Sequence, residues 1–549
     1  MKKIIPLLLL LTIIFSIAAG CAKQEGTTPT PSGTQKPGTT TGQPGEEPAE
    51  SAKPGEVKLP LVDDRVEFDI WSMAFDSGTG LEDANGSDAY QKLEQLTNVH
   101  INWQHPSQAD TITQFNLIVQ SQDFPDCFQN YVSMYIGGLD KYIDDEIIID
   151  VTELVKSYAP NYNYVRSAPD VVKGTVTDSG RMPGLFGIKK TLQPSWMGPV
   201  TRADWLKELG IESPVTMDDY HDMLVKFRDE KNCEVPISVN NTGLFQLVSQ
   251  AWGLGVGFYH VDGVVKFGPI EPEFKEYLAL MKKWYDEGLI EKDFYTVNGS
   301  RAYDTSYTLA GRVGVWNVAY NFMQTNLMLS AEDPTYDLVA IPCPVFNKGD
   351  IREIGLETYI QVDRFQGNIA AITTQCKDPV TLVKWFDYLF TEEGGILGSY
   401  GIENLSFVFN EEGKPEFTEL VYNNPDGLAA FTAMNRYAMS PNQVMLYDWE
   451  RELLPNMYPQ ALEAPRIWDA NYEDKRTLPS MMSITSEESQ EYASIMNDVN
   501  TLINETIVPF IIGSKSLDEF DDFVNTVKAL RIDDAIAIQQ AALDRYNNR

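Results

Sequence analysis

The residues able to do chemistry here are few: four histidines, five cysteines and a large pool of carboxylates. His100, His105, His221 and His260 fit no metal-ligand spacing, and His100 and His105 lie five apart, wrong for one helical face. The chain holds no G-x-S-x-G elbow and no phosphate-binding P-loop. Gly253-x-Gly255-x-Gly257 brings its third glycine one residue early for a dinucleotide site and reads as a turn beside Trp252. A carboxylate pair for glycoside hydrolysis stays open, because 79 acidic residues make accidental pairs unavoidable. Cys127, Cys233, Cys343 and Cys376 are scattered, with no C-x-x-C pair, and read as small buried hydrophobes. One or two disulfides remain open. These residues point to no active site, cofactor or metal.

The fifth cysteine is informative by position. Met1-Lys2-Lys3, an apolar run from Ile4 to Ala18 and small residues through Gly20 make a secretory signal ending at Cys21. The run is too short for a membrane span of roughly 20 residues and contains Pro6. Ala18-Ala19-Gly20-Cys21 resembles a bacterial lipobox, in which Cys21 carries the lipid (palmitate among its acyl chains) and becomes the mature N-terminus. Residues 1–21 are therefore read as a lipoprotein signal. Residues 22–57, rich in Thr, Pro, Gly and Ser, are read as an unfolded tether of 36 residues. Such a coil spans on the order of 35 Å. The expected location is the extracytoplasmic face of a cell membrane.

At 549 residues the chain is long enough for two or three folded units, and its composition, 43% hydrophobic and 11% aromatic, is globular. Over the whole chain, 79 acidic against 43 basic side chains give a net charge of −36, which argues against nucleic acid and mildly against a strongly anionic ligand. Val66, Phe68 and Ile70 alternate as a strand, with Trp71 out of phase at its carboxyl end. A helix over Ser87–Leu96 and a second strand with Val99, Ile101 and Trp103 in phase complete a β-α-β order, which predicts an α/β fold with a mostly parallel sheet. Thr216-x-x-Asp219, Asp378-Pro379 and Ser516-x-x-Glu519 open further helices, and a stripe from Phe274 to Tyr285 stops at Gly288.

Several segments carry a family resemblance. They include Ser121-Gln122-Asp123-Phe124-Pro125-Asp126, Ile149-Asp150-Val151-Thr152-Glu153-Leu154, and Thr201-Arg202-Ala203-Asp204-Trp205-Leu206. Further on come Lys283-Trp284-Tyr285-Asp286-Glu287-Gly288, Trp385-Phe386-Asp387-Tyr388-Leu389-Phe390 and Ala541-Ala542-Leu543-Asp544-Arg545-Tyr546. In this order, after a lipobox and linker, the chain resembles the lipoprotein solute-binding proteins of ABC importers, in their large oligosaccharide-binding family-1 branch. The resemblance implies a two-lobed, periplasmic-binding-protein-like fold of type II with the ligand between the lobes. By analogy the N-terminal lobe takes 58–195 and 356–405, and the C-terminal lobe takes 196–355 and 406–549. It implies a monomeric, non-enzymatic receptor that captures an oligosaccharide by hinge closure and delivers it to permease subunits. A tethered glycoside hydrolase, or a binder or sensor of a non-sugar solute such as a peptide, is the alternative. Some relatives carry a calcium loop after the helix ending near Phe227. Here Arg228-Asp229-Glu230-Lys231-Asn232-Cys233-Glu234 lacks alternating oxygen ligands, so no calcium site is expected.

Sugars offer apolar C–H faces to aromatic platforms and hydroxyl edges to polar groups. Trp205, Trp284 and Trp385 lie in amphipathic helices and Trp103 is in phase on a strand, so these four are read as core. Trp71, Trp196, Trp252, Trp316 and Trp449 stand in loops or at strand ends and are the candidate platforms, with Tyr259 and Tyr359 as weaker ones. Arg202 could donate to ligand hydroxyls or could pair with Asp204. Turning a mostly open receptor into a mostly closed one takes about 5.5 kcal/mol of differential affinity, so both lobes should touch the ligand. Trp71 and Trp196 are expected on one side, Trp252 and Trp316 on the other.

Overall fold

The computed structural model describes residues 54–73, 75, 77–107, 110–129, 138–355, 364–455 and 458–549. Cys21 and the signal and linker calls for residues 1–53 therefore lie outside the described residues, as does Tyr359.

The chain builds two larger sheets. β1 (Val66–Ser72), α1 (Asp88–Thr97) and β2 (Val99–Gln104) form the expected β-α-β unit, and α2 (Thr111–Ser121) leads to β3 (Cys127–Gln129). After β4 (Leu185–Lys189) the chain passes to the second sheet with β5 (Met197–Arg202) and β6 (Val235–Ile237). A hairpin of β7 (Phe258–Val261) and β8 (Val264–Phe267) precedes β9 (Val313–Ala319) and β10 (Leu338–Ala340). β11 (Phe365–Ile372) returns to the first sheet, followed by the hairpin β12 (Phe407–Phe409) and β13 (Pro415–Phe417) and by β14 (Leu446–Tyr447). The sheet orders are β14-β4-β11-β3-β1-β2 and β10-β5-β9-β6.

The strand directions locate the connections. β2, β1 and β3 run parallel, and β11 is antiparallel to both β3 and β4, so β4 runs with the first three. β14 is parallel to β4. In the second sheet β6 and β9 are parallel, while β5 runs against β9 and β10 against β5. This sheet is thus more mixed than the expected parallel one. The chain crosses between sheets three times: out of β4 into β5, out of β10 towards β11, and out of β14 towards the helix Pro459–Trp468. The first two crossings join the edge where β1, β2, β3, β4 and β14 end to the edge where β6 and β9 end, and the third leaves that first-sheet edge and meets Tyr320, just after β9, through Glu452. The carboxyl ends of the two sets of parallel strands therefore face a common space, spanned on one side by the crossings.

Each sheet has its own core. Phe68, Ile70, Trp71, Phe115, Phe128 and Leu185 belong to the first, and Tyr220, Phe227, Phe274, Trp284 and Ile507 to the second. Residues 439–449, grouped with the second lobe by sequence, pack partly in the first. Met439, Val444, Met445 and Tyr447 are fully buried there, and β14 pairs with β4. No local signal marks a two-residue strand, so this return was invisible in the sequence.

Helices with local start and stop signals form where expected. Thr216 accepts from Asp219 N while Asp219 reaches back, and the helix Met217–Glu230 buries Tyr220, Met223, Leu224 and Phe227. Asp378 caps the helix Pro379–Tyr388 through Thr381 N. Backbone freedom matters at Gly198 in β5: a Cβ there would lie 2.5 Å from the ring of Trp468, which donates Nε1–H to the Pro199 carbonyl at 3.0 Å. The four cysteines are free thiols, Cys127, Cys233 and Cys343 buried and Cys376 half-buried.

Candidate functional site between the two sheets

In open α/β sheets the carboxyl ends of parallel strands form the usual binding edge. In the first sheet β1 ends there with Trp71, Ser72 and Met73, and β2 with Trp103, Gln104 and His105. Residues two apart on a strand share a face. Trp103 and His105 accordingly stack, with ring centroids 5.7 Å apart and planes at 10°. Phe75 continues the stack on His105 at 4.6 Å and 17°, and Tyr90 meets Trp103 edge-on at 5.4 Å. Phe75, Trp103 and His105 are half-buried and Tyr90 is buried, so the group sits at the margin of the first core beside the strand end.

His105 Nδ1 lies 2.8 Å from the Ser72 carbonyl oxygen. A carbonyl only accepts, so the proton sits on Nδ1 and leaves Nε2 as an acceptor. That Nε2 is buried and has no hydrogen-bond partner. Burial pushes the imidazole below the ordinary histidine pKa, against the bond to Ser72 and the charge of Asp83, which keeps the ring neutral at pH 7. Beside it opens a cavity of about 370 Å³ lined by Trp71, Gln104, His105, Pro106, Gln114, Leu117 and Ile118. Its size is that of a small-ligand site, and its lining joins apolar surface to two carboxamides with no charged side chain.

The second sheet contributes the end of β6, with Ser238 bonded to Ser300 at 2.7 Å, and the end of β9, with Asn317. Asn317 Oδ1 is buried without a partner. Directly after β9, the helix Tyr320–Leu329 exposes Phe322 at 61%, and Tyr303 stands 64% exposed beyond Ser300. Tyr303 and Phe322 are exposed aromatic side chains near these strand ends.

Most sequence-nominated residues have other work. Trp71, out of phase on β1, is only 2% exposed, because an interior parallel strand is covered on both faces. Phe115 of α2 packs on it at 5.9 Å and Phe128 at 6.0 Å, and it still lines the cavity. Arg202 is not available to a ligand. It forks onto Asp204 at 2.6 and 2.8 Å and lies over the rings of Tyr336 and Trp205, at 4.2 and 4.9 Å. Trp252 donates to Glu276 at 3.0 Å and packs edge-on against Phe346, on the margin of the second core. Tyr259 and Trp316 are buried in the second lobe, at 3% and 1% exposure. The rings of Trp71, Tyr259 and Trp316 illustrate one limit: a large ring near a glycine or at a strand end is covered by elements far away in sequence.

Trp196 and Trp449 belong to the crossings. The half-buried Trp196 ends the first, and its carbonyl accepts from Tyr320 N at 3.2 Å. Trp449, in the third, donates Nε1–H to Thr191 Oγ1 of the first at 2.9 Å. Nearby, the Glu452 carboxylate accepts from Tyr447 at the end of β14 and from Tyr320 at 3.0 Å, so one carboxylate holds both sheets. Phe75, His105, Tyr303 and Phe322 were missed by sequence. Only Trp103-x-His105 carried a signal, two rings sharing a strand face beside its carboxyl end. In the loop read as unable to bind calcium, Lys231 pairs with Glu208 and Arg228 with Asp229.

Comparison with known proteins agrees with this architecture. The family model described as bacterial extracellular solute-binding protein matches residues 81–396. The fructooligosaccharide ABC transporter substrate-binding protein FusA of Streptococcus pneumoniae is 24% identical over 499 residues, covering 85% of this chain and 88% of FusA. Lipoprotein LipO of Bacillus subtilis is 22% identical over 391 residues, 68% of this chain and 73% of LipO. Among solved structures, an extracellular solute-binding protein from Bifidobacterium longum subsp. infantis superposes with a TM-score of 0.70 at 15% identity, covering 88% of this chain and 99% of that one. The alginate-binding protein AlgQ2 gives 0.65 at 20% identity, with the same coverage. With two α/β lobes joined by three crossings, the chain belongs to the bacterial extracellular solute-binding proteins, which hold a solute rather than transform it.

Proposed function

We propose that the protein is the lipid-anchored receptor of an ABC importer, monomeric, and that it captures a neutral oligosaccharide between its lobes for delivery to permease subunits. The observation that carries this reading is the uncharged cavity lined by Trp71, His105 and two glutamines, with His105 held in place by its stack with Phe75 and Trp103. Aromatic rings suit sugar C–H faces, and carboxamides both donate to and accept from hydroxyls. FusA, named for fructooligosaccharides, supports the sugar class. The cavity offers no arginine or lysine to a uronate, and the net charge of −36 repels one. Trp71, Gln104 and His105 hold the first-lobe side, and Tyr303, Asn317 and Phe322 the second. Cys21 bears the lipid, and residues 22–57 form the tether. LipO, a lipoprotein by name, supports the anchor.

The test is a thermal-shift panel of neutral fructo-, xylo-, malto- and galacto-oligosaccharides beside oligogalacturonides. A ligand at 100 times its Kd stabilises the folded state by about 2.7 kcal/mol, a plain rise in Tm. A rise with a neutral sugar and none with galacturonides is expected. A panel in which only the acidic sugars act would overturn the neutral assignment, and one in which no sugar acts would overturn the sugar class.

A further inference from the structure

Beyond the three crossings and the Glu452 bridge, side chains of the two lobes also meet around Asp178. Between the helix Pro160–Arg166 and β4, the first lobe extends a turn that carries Asp178. Its carboxylate accepts from Arg545 Nε at 3.1 Å, Arg549 Nε at 2.8 Å and Ser483 Oγ at 3.0 Å, all from the second lobe's carboxyl-terminal helices and the segment before them. Arg549 also donates to the Val176 carbonyl at 2.9 Å, and Lys173 Nζ answers to the Asn547 carbonyl at 2.6 Å. The second lobe holds its side rigidly. Arg545 grips Glu488 at 2.8 and 3.1 Å, and Glu488 closes the capping box with Thr485 that starts the helix Ser486–Ile512.

Two facts give this cluster its place and its persistence. Gly174, on the same turn, abuts the ring of Phe365 where β11 begins, and Arg364 beside it pairs with Asp170 at 2.8 Å and donates to the Lys190 carbonyl of the first crossing at 3.3 Å. The cluster thus lies on the crossing side. The Arg549 side chain is only 2% exposed and that of Asp178 17%. Removing one partner of a buried ion pair strands a charge and is strongly destabilising. A contact that parted at every capture would give up these charge-assisted hydrogen bonds and rehydrate both charges each time. One that persists through the motion does not.

We propose that Asp178 is a positioning residue for solute capture: with Arg545 and Arg549 it forms a further non-covalent tie that stays made and fixes the pivot about which the lobes turn. The tie acts on lobe spacing, not on the solute, so it is read without any sugar. Spin labels introduced through p-acetylphenylalanine at Gln95 on α1 and Glu230 on the second lobe, in the unliganded full chain, report that spacing by double electron–electron resonance. Asp178→Asn is expected to broaden the distance distribution roughly twofold, because the lobes sample more orientations. Arg549→Lys, which keeps the charge but loses the fork, is expected to broaden it less. Arg531→Met is the control, since Arg531 pairs with Glu491 and Asp534 inside the second lobe. It should leave the distribution unchanged. Wild-type distributions for both Asp178→Asn and Arg549→Lys, even with a lowered Tm, would reduce the cluster to a stabilising contact and overturn the proposal, as would equal broadening by Arg531→Met. If Asp178→Asn does not fold, Arg549→Lys against Arg531→Met decides.

Discussion

Protonating His105 would turn its Nε2 from an acceptor into a donor, and the burial that lowers its pKa moves this change below the usual histidine range. If a sugar hydroxyl donates to Nε2, the bound state favours the neutral ring, so the bound pKa lies lower still. Affinity is then flat from alkaline pH down to about 6.5 and falls as pH drops through the free-protein pKa, by up to about tenfold per pH unit. Titration calorimetry across pH 5–8, with a sugar found in the thermal-shift panel, checks this. A level profile, or one that rises in acid, removes His105 from the site. His105→Ala should weaken binding about tenfold by deleting one stacked ring. Trp252→Phe should lower the Tm with affinity unchanged, because the lost bond is to Glu276 on the second lobe's own surface. The sequence hid this ranking. It showed which rings stood at strand ends, but Trp316 and Tyr259 were already covered by partners distant in the chain, while Phe322 looked like any apolar helical residue.

Elements were far more legible than sites, because helix boundaries are written locally. The pair Thr216 and Asp219 forms a complete capping box, and Ser516 with Glu519 forms another. Thr216→Ala should cost about 1 kcal/mol in urea denaturation while sparing ligand affinity, since it removes the acceptor for one helix N–H remote from the strand ends. A loss well under half of that would mean the neighbouring Val215 and Val345 backbone contacts already hold the helix start. Period-two alternation correctly fixed β1 and β2 and failed only at Trp71, where a strand buried on both faces loses its contrast. β14 had too few residues to alternate at all. The three crossings could not be read either: they are defined by which sheet a strand joins, and that choice is made by pairing across more than a hundred residues of chain.

On the scale of the whole molecule, the crossings, the Glu452 bridge and the Asp178 cluster gather on the side of β14, β4 and β11 in one sheet and of β10 and β5 in the other. Among the described residues no crossing runs past β2 or β6, the far strands of each sheet. The two sheets are therefore bound like the pages of a book, joined along one side and free along the other. A ligand enclosed on every side must match the chamber in length, whereas one held in a book can project beyond the pages. For a polymer fragment this has a quantitative signature. Kd should fall with each added sugar unit while units still reach the walls, and then stay constant however long the chain becomes. Calorimetry on a graded series of one oligosaccharide checks it, and a sharp optimum with rejection of longer members would mean that the free side is closed. A receptor of this form grades its cargo by what the chain carries in one short stretch, leaving total length to be judged elsewhere.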